Sequence, residues 1–297
     1  MLADEGAMVV DCWKICIAQI SPKLGNIEHN VDKHLHYVSE AKSRQASLVV
    51  FPELGLTGYQ VQDMTLDVAR TLDHPQIQVL VESSRDIDVV FSCVEETKHH
   101  LFHVTVVYAT KGKIAGIHRK VYLPTYGMFD ERRYFAPGTS FRTISSHTVG
   151  DVGLMVCEDA WHGTSPYLLA LQGANLLIIP SSSPARDVTD ANYFGSQKFW
   201  RELLQVYAET YGAFVVFANR VGVEDGISFF GGSGVVSPEG DWVLSAPTVT
   251  EGLYDAMIDT RASRRARFST PILRDERPLL VARELERIIK TREESER

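Results

Sequence analysis

Three side chains in this sequence are of the types that together could break an acyl bond: Glu53, Lys120 and Cys157. Each stands at or just past the end of a stretch that reads as a strand, where loops converge on a rigid sheet and catalytic groups concentrate. Glu53 follows Phe51-Pro52, Lys120 follows a run ending at His118, and Cys157 follows Gly153 to Val156 and leads into Glu158-Asp159. A thiol is a weak nucleophile until a base or a cation draws out its thiolate character. A carboxylate can act as that base, and an ammonium can stabilise the oxyanion that follows attack on a carbonyl. Singly, each has a duller explanation. A cysteine ending a buried strand serves as a small core residue, and the two charges serve as ordinary loop residues. Spacing alone does not establish that they meet.

The elements that must position them alternate between strand and helix. Trp13 to Ile20 reads as a buried strand, Asn26 to Arg44 as a helix capped by Asn26, and Ser47 to Phe51 as a short strand stopped by Pro52. Residues 64–84 have helical apolar spacing that Pro75 must interrupt or restart. Asp88 to Glu95, Leu101 to Thr110 and a third strand to His118 form an antiparallel run. Residues 119–140 then hold Pro124, Gly127, Pro137 and Gly138 among aromatic and charged residues, which marks a long functional loop. Further strands are expected over Asp151 to Val156, Asn175 to Ile179, Ala213 to Ala218, Ser228 to Val236, Asp241 to Ser245 and Gly252 to Asp259. Helices are expected over Ser165 to Gln172 and Tyr193 to Thr210. With no repeat and no Pro/Ser-rich linker, one domain over residues 1–297 is preferred to two.

Composition narrows the class. The 297 residues are 44% hydrophobic and 23% charged, which supports a sizeable core and excludes wholesale disorder. A net charge of −8 argues against a nucleic-acid binder, and no apolar run approaches the length of a membrane span. MLADEGAMVV at the start lacks the basic, apolar build of a signal peptide, so a cytoplasmic location is expected. Residues 261–297 carry eleven Lys/Arg against seven Asp/Glu, about +4, leaving about −12 elsewhere, so they are expected to form a basic C-terminal arm or helix. Four cysteines are too few for a disulfide framework and lack zinc-ribbon spacing; Cys12, Cys16 and Cys93 are read as packing residues. His99, His100 and His103 fall at an apparent turn with no fourth ligand, so no metal is assigned. His118 is expected to shape the lysine loop, and His162 to sit near the cavity or at the surface. The glycines at 231–234 are read as continuing a strand, not as a phosphate cradle.

The segments FPELGLTGY, HRKVYLPTYGMFDERRYFAPG and GLMVCEDAW resemble the nitrilase superfamily of carbon–nitrogen hydrolases. Ser182-Ser183-Pro184, Asn219-Arg220-Val221-Gly222 and Phe230-Gly231-Gly232-Ser233 extend the likeness, which runs from about residue 13 to 260. The resemblance implies a four-layer α-β-β-α sandwich and a Glu53–Lys120–Cys157 triad with Glu131 as a second glutamate. It also implies a thioester on Cys157, no cofactor, and a homodimer or larger homo-oligomer. Glu158-Asp159-Ala160-Trp161 after the cysteine departs from the Trp-Glu usual in true nitrilases, which points to amide rather than nitrile hydrolysis. Within the amidase branch the sequence is similar to the glutaminase domains of glutamine-dependent NAD synthetases, and on that likeness Tyr59, Tyr126, Glu158, Trp161 and Ser183 are expected to bind substrate. No SGG-x-DS pyrophosphate loop follows. The expected activity is therefore cysteine-dependent hydrolysis of a small non-peptide amide. The alternatives are an N-carbamoyl amidohydrolase and a glutaminase subunit feeding ammonia to a partner, with nitrilase, acyltransferase and non-catalytic scaffold behind them.

Overall fold

The structure, a computed structural model, describes residues 12–146, 148–190 and 193–295; the expectation for the first ten residues lies outside them. In chain order the first strands are β1 (Cys12–Gln19), β2 (Leu48–Val50), β3 (Asp88–Glu96), β4 (Phe102–Thr110) and β5 (Lys113–Arg119). The second group is β6 (Thr143–Ser146), β7 (Gly150–Leu154) and β8 (Leu176–Ser181), then a small hairpin of β9 (Val188–Asp190) and β10 (Tyr193–Phe194). Next come β11 (Phe214–Asn219) and a second hairpin, β12 (Val221–Glu224) with β13 (Ile227–Phe230). The last three are β14 (Gly234–Val236), β15 (Trp242–Ser245) and β16 (Gly252–Asp259). Two six-stranded sheets result, ordered β16-β1-β2-β3-β4-β5 and β15-β14-β11-β8-β7-β6.

Among the named strands, parallel pairing joins β1-β2-β3 in one sheet and β7-β8-β11 in the other. Their sequences explain why. Leu48-Val49-Val50 and Leu177-Ile178-Ile179 are apolar on both faces, and both faces are covered. The outer layers are α1 (Ile27–Ser43) with α3 (Pro75–Ser83) on the first sheet, and α5 (Thr164–Leu171) with α6 (Gly195–Tyr211) on the second. Asn26 caps α1 by accepting from the His29 N–H at 3.1 Å, and Ile27, Val31, Val38 and Ala41 bury its inner face. The fold is the expected four-layer α-β-β-α sandwich.

As expected, the run 64–84 divides at Pro75 into α2 (Thr65–Val68) and α3, because Pro75 takes the first position of a new helix. Several local expectations need correction. Residues Ser228 to Val236 are not one strand: the chain leaves β13 at Gly231 and Gly232, both at positive φ, and re-enters the second sheet as β14. A Cβ at Gly231 would stand 2.4 Å from Val221 Cγ1, so only glycine lets the two segments close on each other. Strands β6 and β12 were not anticipated, since their Ser- and Gly-containing sequences carry little apolar alternation. Cys12 is exposed rather than packed, because it opens β1 at the sheet's rim, while Cys16 and Cys93 are buried. His103 belongs to no solvated turn. It is buried in β4, where its Nδ1 lies 2.7 Å from the Ala136 carbonyl oxygen.

The basic segment is anchored at its start. In α7 (Arg261–Ser269), Arg267 donates to the carbonyls of Ala174 and Tyr211 and to Asn175 Oδ1, at 2.6, 3.1 and 2.7 Å. The short α8 (Ile272–Asp275) leads to α9 (Pro278–Ser295), which buries none of its residues and exposes Leu279, Leu285 and Ile289. No described helix is long and apolar enough to cross a membrane.

Candidate active site

Glu53, Lys120 and Glu131 meet in the interior. Glu53 is turned inward just after β2, Lys120 follows β5, and Glu131 opens the single-turn α4 (Glu131–Tyr134) within the long loop. Lys120 Nζ lies 2.7 Å from Glu53 Oε1 and 2.7 Å from Glu131 Oε1, with the lysine 1% exposed. Glu53 is held from the second sheet as well: its Oε2 accepts the Ser182 N–H and its carbonyl accepts the Ser182 hydroxyl, both at 2.9 Å. Glu131 Oε1 also accepts the Tyr59 hydroxyl at 2.6 Å. Burial alone would discharge Lys120, but the charges of Glu131 and Glu53 outweigh it and hold the ammonium well above its ordinary range. Burial pushes Glu131 up to about 7, opposed by Lys120 and reinforced by Glu53.

Cys157 stands beside this cluster. It opens the 3-10 turn Cys157–Trp161 at φ 44, a conformation that non-glycine residues seldom adopt and that recurs at functional sites. Burial pushes the thiol well above its usual range and Glu53 adds to the shift, against the pull of Lys120 and a hydrogen bond from the Ser182 backbone. Burial and the Glu53 charge thus favour the protonated thiol over the thiolate.

Asp159, fully buried, fixes the geometry between the two sheets. Its Oδ2 accepts the Val156 N–H at 2.9 Å and lies 2.8 Å from His118 Nε2. Its Oδ1 accepts the N–H groups of Val121 and Tyr122 at 3.0 and 2.9 Å. One carboxylate thus ties the cysteine turn to the lysine loop, and His118 at the end of β5 bonds to it. Asp159→Ala would strand these donors in the interior and is expected to cost about 3–5 kcal/mol. Urea unfolding checks this; a loss below about 1 kcal/mol, the size of one ordinary hydrogen bond, would contradict it.

A cavity of about 340 Å³ opens above Cys157, lined among others by Tyr126, Phe129, Glu158, Trp161, Ser183 and Arg186. Four of the five expected substrate-binding residues are therefore brought together. The Tyr126 hydroxyl reaches Glu158 Oε2 at 2.9 Å, and burial, then this contact, pushes the phenol up to about 12. Trp161 stacks on Phe199 at 4.1 Å, and the Ser183 hydroxyl accepts the Trp200 indole N–H at 2.9 Å. Tyr59 is placed elsewhere, beneath the cluster on Glu131. His162 lies outside the cavity, stacked on Tyr122 at 3.5 Å. Arg186 was not anticipated. Its guanidinium lies over the Phe129 ring at 4.7 Å, and its buried Nη2 has no hydrogen-bond partner among the described residues. Ser182 and Asp159 were also missed as site residues, although both lie inside quoted motifs. Among the described residues no three metal-binding side chains cluster.

Residues 14–268 match the family model described as carbon-nitrogen hydrolase. The chain is 27% identical over 252 residues to the glutamine-dependent NAD(+) synthetase of Acinetobacter baylyi, covering 85% of this chain and 45% of that protein. It thus spans under half the length of that relative. It is 27% identical over 254 residues to the Schizosaccharomyces pombe protein named Probable nitrilase, covering 82% and 88% of the two chains. Among solved structures, a carbon-nitrogen hydrolase from Helicobacter pylori superposes with a TM-score of 0.83 at 28% identity, over 92% of this chain and 98% of that one.

Proposed function

Because this chain belongs to the carbon–nitrogen hydrolase family of the nitrilase superfamily, whose members hydrolyse non-peptide C–N bonds, we propose that it is an amidase working through a thioester on Cys157. The observation that carries this reading is the buried Glu53–Lys120–Glu131 cluster set against the Cys157 thiol at the floor of a cavity. Glu53 takes the thiol proton as the sulfur bonds to the amide carbon, and the carbonyl electrons move to oxygen. The Lys120 ammonium and the Glu158 backbone N–H stabilise that oxyanion. Its collapse breaks the C–N bond, Glu53 passes the proton to the departing nitrogen, and the thioester remains. Water, deprotonated by Glu53, then adds to the thioester; the C–S bond breaks, the thiol is restored and the carboxylic acid departs. Glu131 holds Lys120 in place throughout. Mass spectrometry of protein quenched during turnover is expected to find the acyl group on Cys157; turnover with no adduct and no cysteine dependence would refute the mechanism.

The cavity walls favour one amide class. Glu158 and Arg186 both line the cavity, yet no ion pair joins them among the described residues. A carboxylate and a guanidinium left apart above one nucleophile suit a substrate bearing both an ammonium and a carboxylate, the ω-amide of an amino acid. Glu158→Gln and Arg186→Met are each expected to raise KM for such an amide about 10–100-fold, the worth of one charge-assisted hydrogen bond. Propionamide, uncharged, should be unaffected by either change. An N-carbamoyl amino acid has no ammonium and would respond to Arg186→Met alone, so the pattern of KM values decides between the two classes. Equal responses from all three substrates would remove the charge-recognition reading.

A further inference from the structure

We infer that the buried pair Arg220–Glu224 is a positioning device for the carboxylate–lysine cluster, acting through Tyr59. The inference rests on the hydrolase reading above and adds two residues to it. Arg220 directly follows β11 and Glu224 ends β12, and both lie in the interior. Arg220 Nη1 donates to Glu224 Oε2 at 2.8 Å. The other oxygen, Glu224 Oε1, accepts two successive backbone N–H groups, Tyr59 at 2.7 Å and Gln60 at 2.8 Å. Gly58 makes this approach feasible: at φ 82, a Cβ there would stand 2.7 Å from Glu224 Oε2. The Tyr59 hydroxyl then donates to Glu131 Oε1, the same oxygen that accepts from Lys120 Nζ. An unbroken line of short hydrogen bonds runs from Arg220 to the lysine.

Phe229 braces this line at two points. The Arg220 guanidinium lies 4.3 Å above its ring, and the Tyr59 ring meets it edge-on at 6.0 Å. Arg220 Nε and Nη2 find no acceptor among the described residues, so the pair is incompletely satisfied. Burial pulls the guanidinium below its usual range, against the charges of Glu224 and then Glu53. A buried pair with these defects is a poor source of stability, since desolvation offsets its attraction. What it does supply is an anchor for the Tyr59–Gln60 backbone at a fixed distance from Glu131.

The test reads the reactivity of Cys157 itself and needs no substrate. Iodoacetamide alkylation at Cys157, located by mass spectrometry, is followed against pH in wild type, Tyr59→Phe, Glu224→Gln and the double variant. Each single change is expected to slow alkylation about tenfold at pH 7 and to displace its pH profile, because the lysine cluster loses its register. The double variant should be no slower than the slower single, since both act on one line. A folded Glu224→Gln protein with wild-type alkylation and only a lower Tm would overturn the inference, as would multiplying effects. If Glu224→Gln does not fold, Arg220→Lys takes its place in the same cycle. Failure of the hydrolase reading would appear separately, as wild-type protein releasing no ammonia from any amide.

Discussion

Cys157→Ala is expected to lower kcat/KM for the best amide by about 10⁴-fold or more while leaving the fold intact, the scale seen when a covalent nucleophile is removed. Among the described residues lining the cavity, the two serines are not placed to take over. Ser183 lines it, but its hydroxyl accepts the Trp200 indole N–H. Ser196 lines it too, but its hydroxyl donates to the Pro184 carbonyl at 2.8 Å. Neither has a carboxylate base within hydrogen-bond reach, whereas the Cys157 thiol feels Glu53, Lys120 and Glu131 directly. Cys157→Ser should be nearly as inactive, because an alcohol is a far weaker acid than a thiol and Glu53 is not matched to it. Alanine tolerates φ 44 no worse than cysteine does, so thermal unfolding should move little. Ammonia release beside circular dichroism checks both halves. An alanine variant that keeps a tenth of wild-type turnover would place the nucleophile elsewhere.

Lys120→Met is expected to abolish activity and to lower stability by about 3–5 kcal/mol near pH 8, because it leaves two buried carboxylates facing each other without their cation. The loss should depend on pH in a definite direction. Glu131 already sits at about 7 with Lys120 opposing its rise, so removing the ammonium moves it further up. A carboxyl raised in the folded state holds its proton more tightly there than in the unfolded chain. Its contribution is therefore fully present below the ordinary carboxylate range and is lost as pH climbs through the raised value. The gap between variant and wild type should be smallest near pH 5 and widen through pH 7 and above, measured by urea unfolding at each pH. A gap that narrows with rising pH would mean that the carboxylates are not the source. Methionine nearly matches the lysine stem in volume, so packing changes contribute little.

Glu53, Lys120 and Cys157 stood out because each ends a strand-like run, but Glu131 and the grouping of the four came only with the family resemblance. Arg186 left no such trace. It lies in Pro184-Ala185-Arg186-Asp187, a stretch without periodicity, and its place above Phe129 depends on a loop path set only by the finished fold. That Tyr59 does not line the cavity has a related cause: its position in the chain was plain, but its direction is set by Glu224, more than 150 residues downstream. The central strands were read from apolar runs alone, while β6 and the β12–β13 hairpin were missed or merged because pairing partners, not composition, define them. The break at Gly231-Gly232 is visible only once Val221 and Gln19 are known to press against it.

One feature of the charge cluster bears on the direction of the reaction. A single lysine is shared by two carboxyl groups, so the cluster beside the nucleophile holds no surplus positive charge while the acyl group is a neutral amide or thioester. On the mechanism proposed above, hydrolysis would create a third carboxylate at that spot. Among the described residues that anion has Glu53 and Glu131 as neighbours, and the lysine beneath it is one that both already engage. Repulsion of like charges in a low-dielectric pocket therefore drives product out and raises the barrier to running the chemistry backwards. On that mechanism, the same arrangement that activates the nucleophile would also act as a valve, admitting neutral acyl groups and expelling the acids made from them.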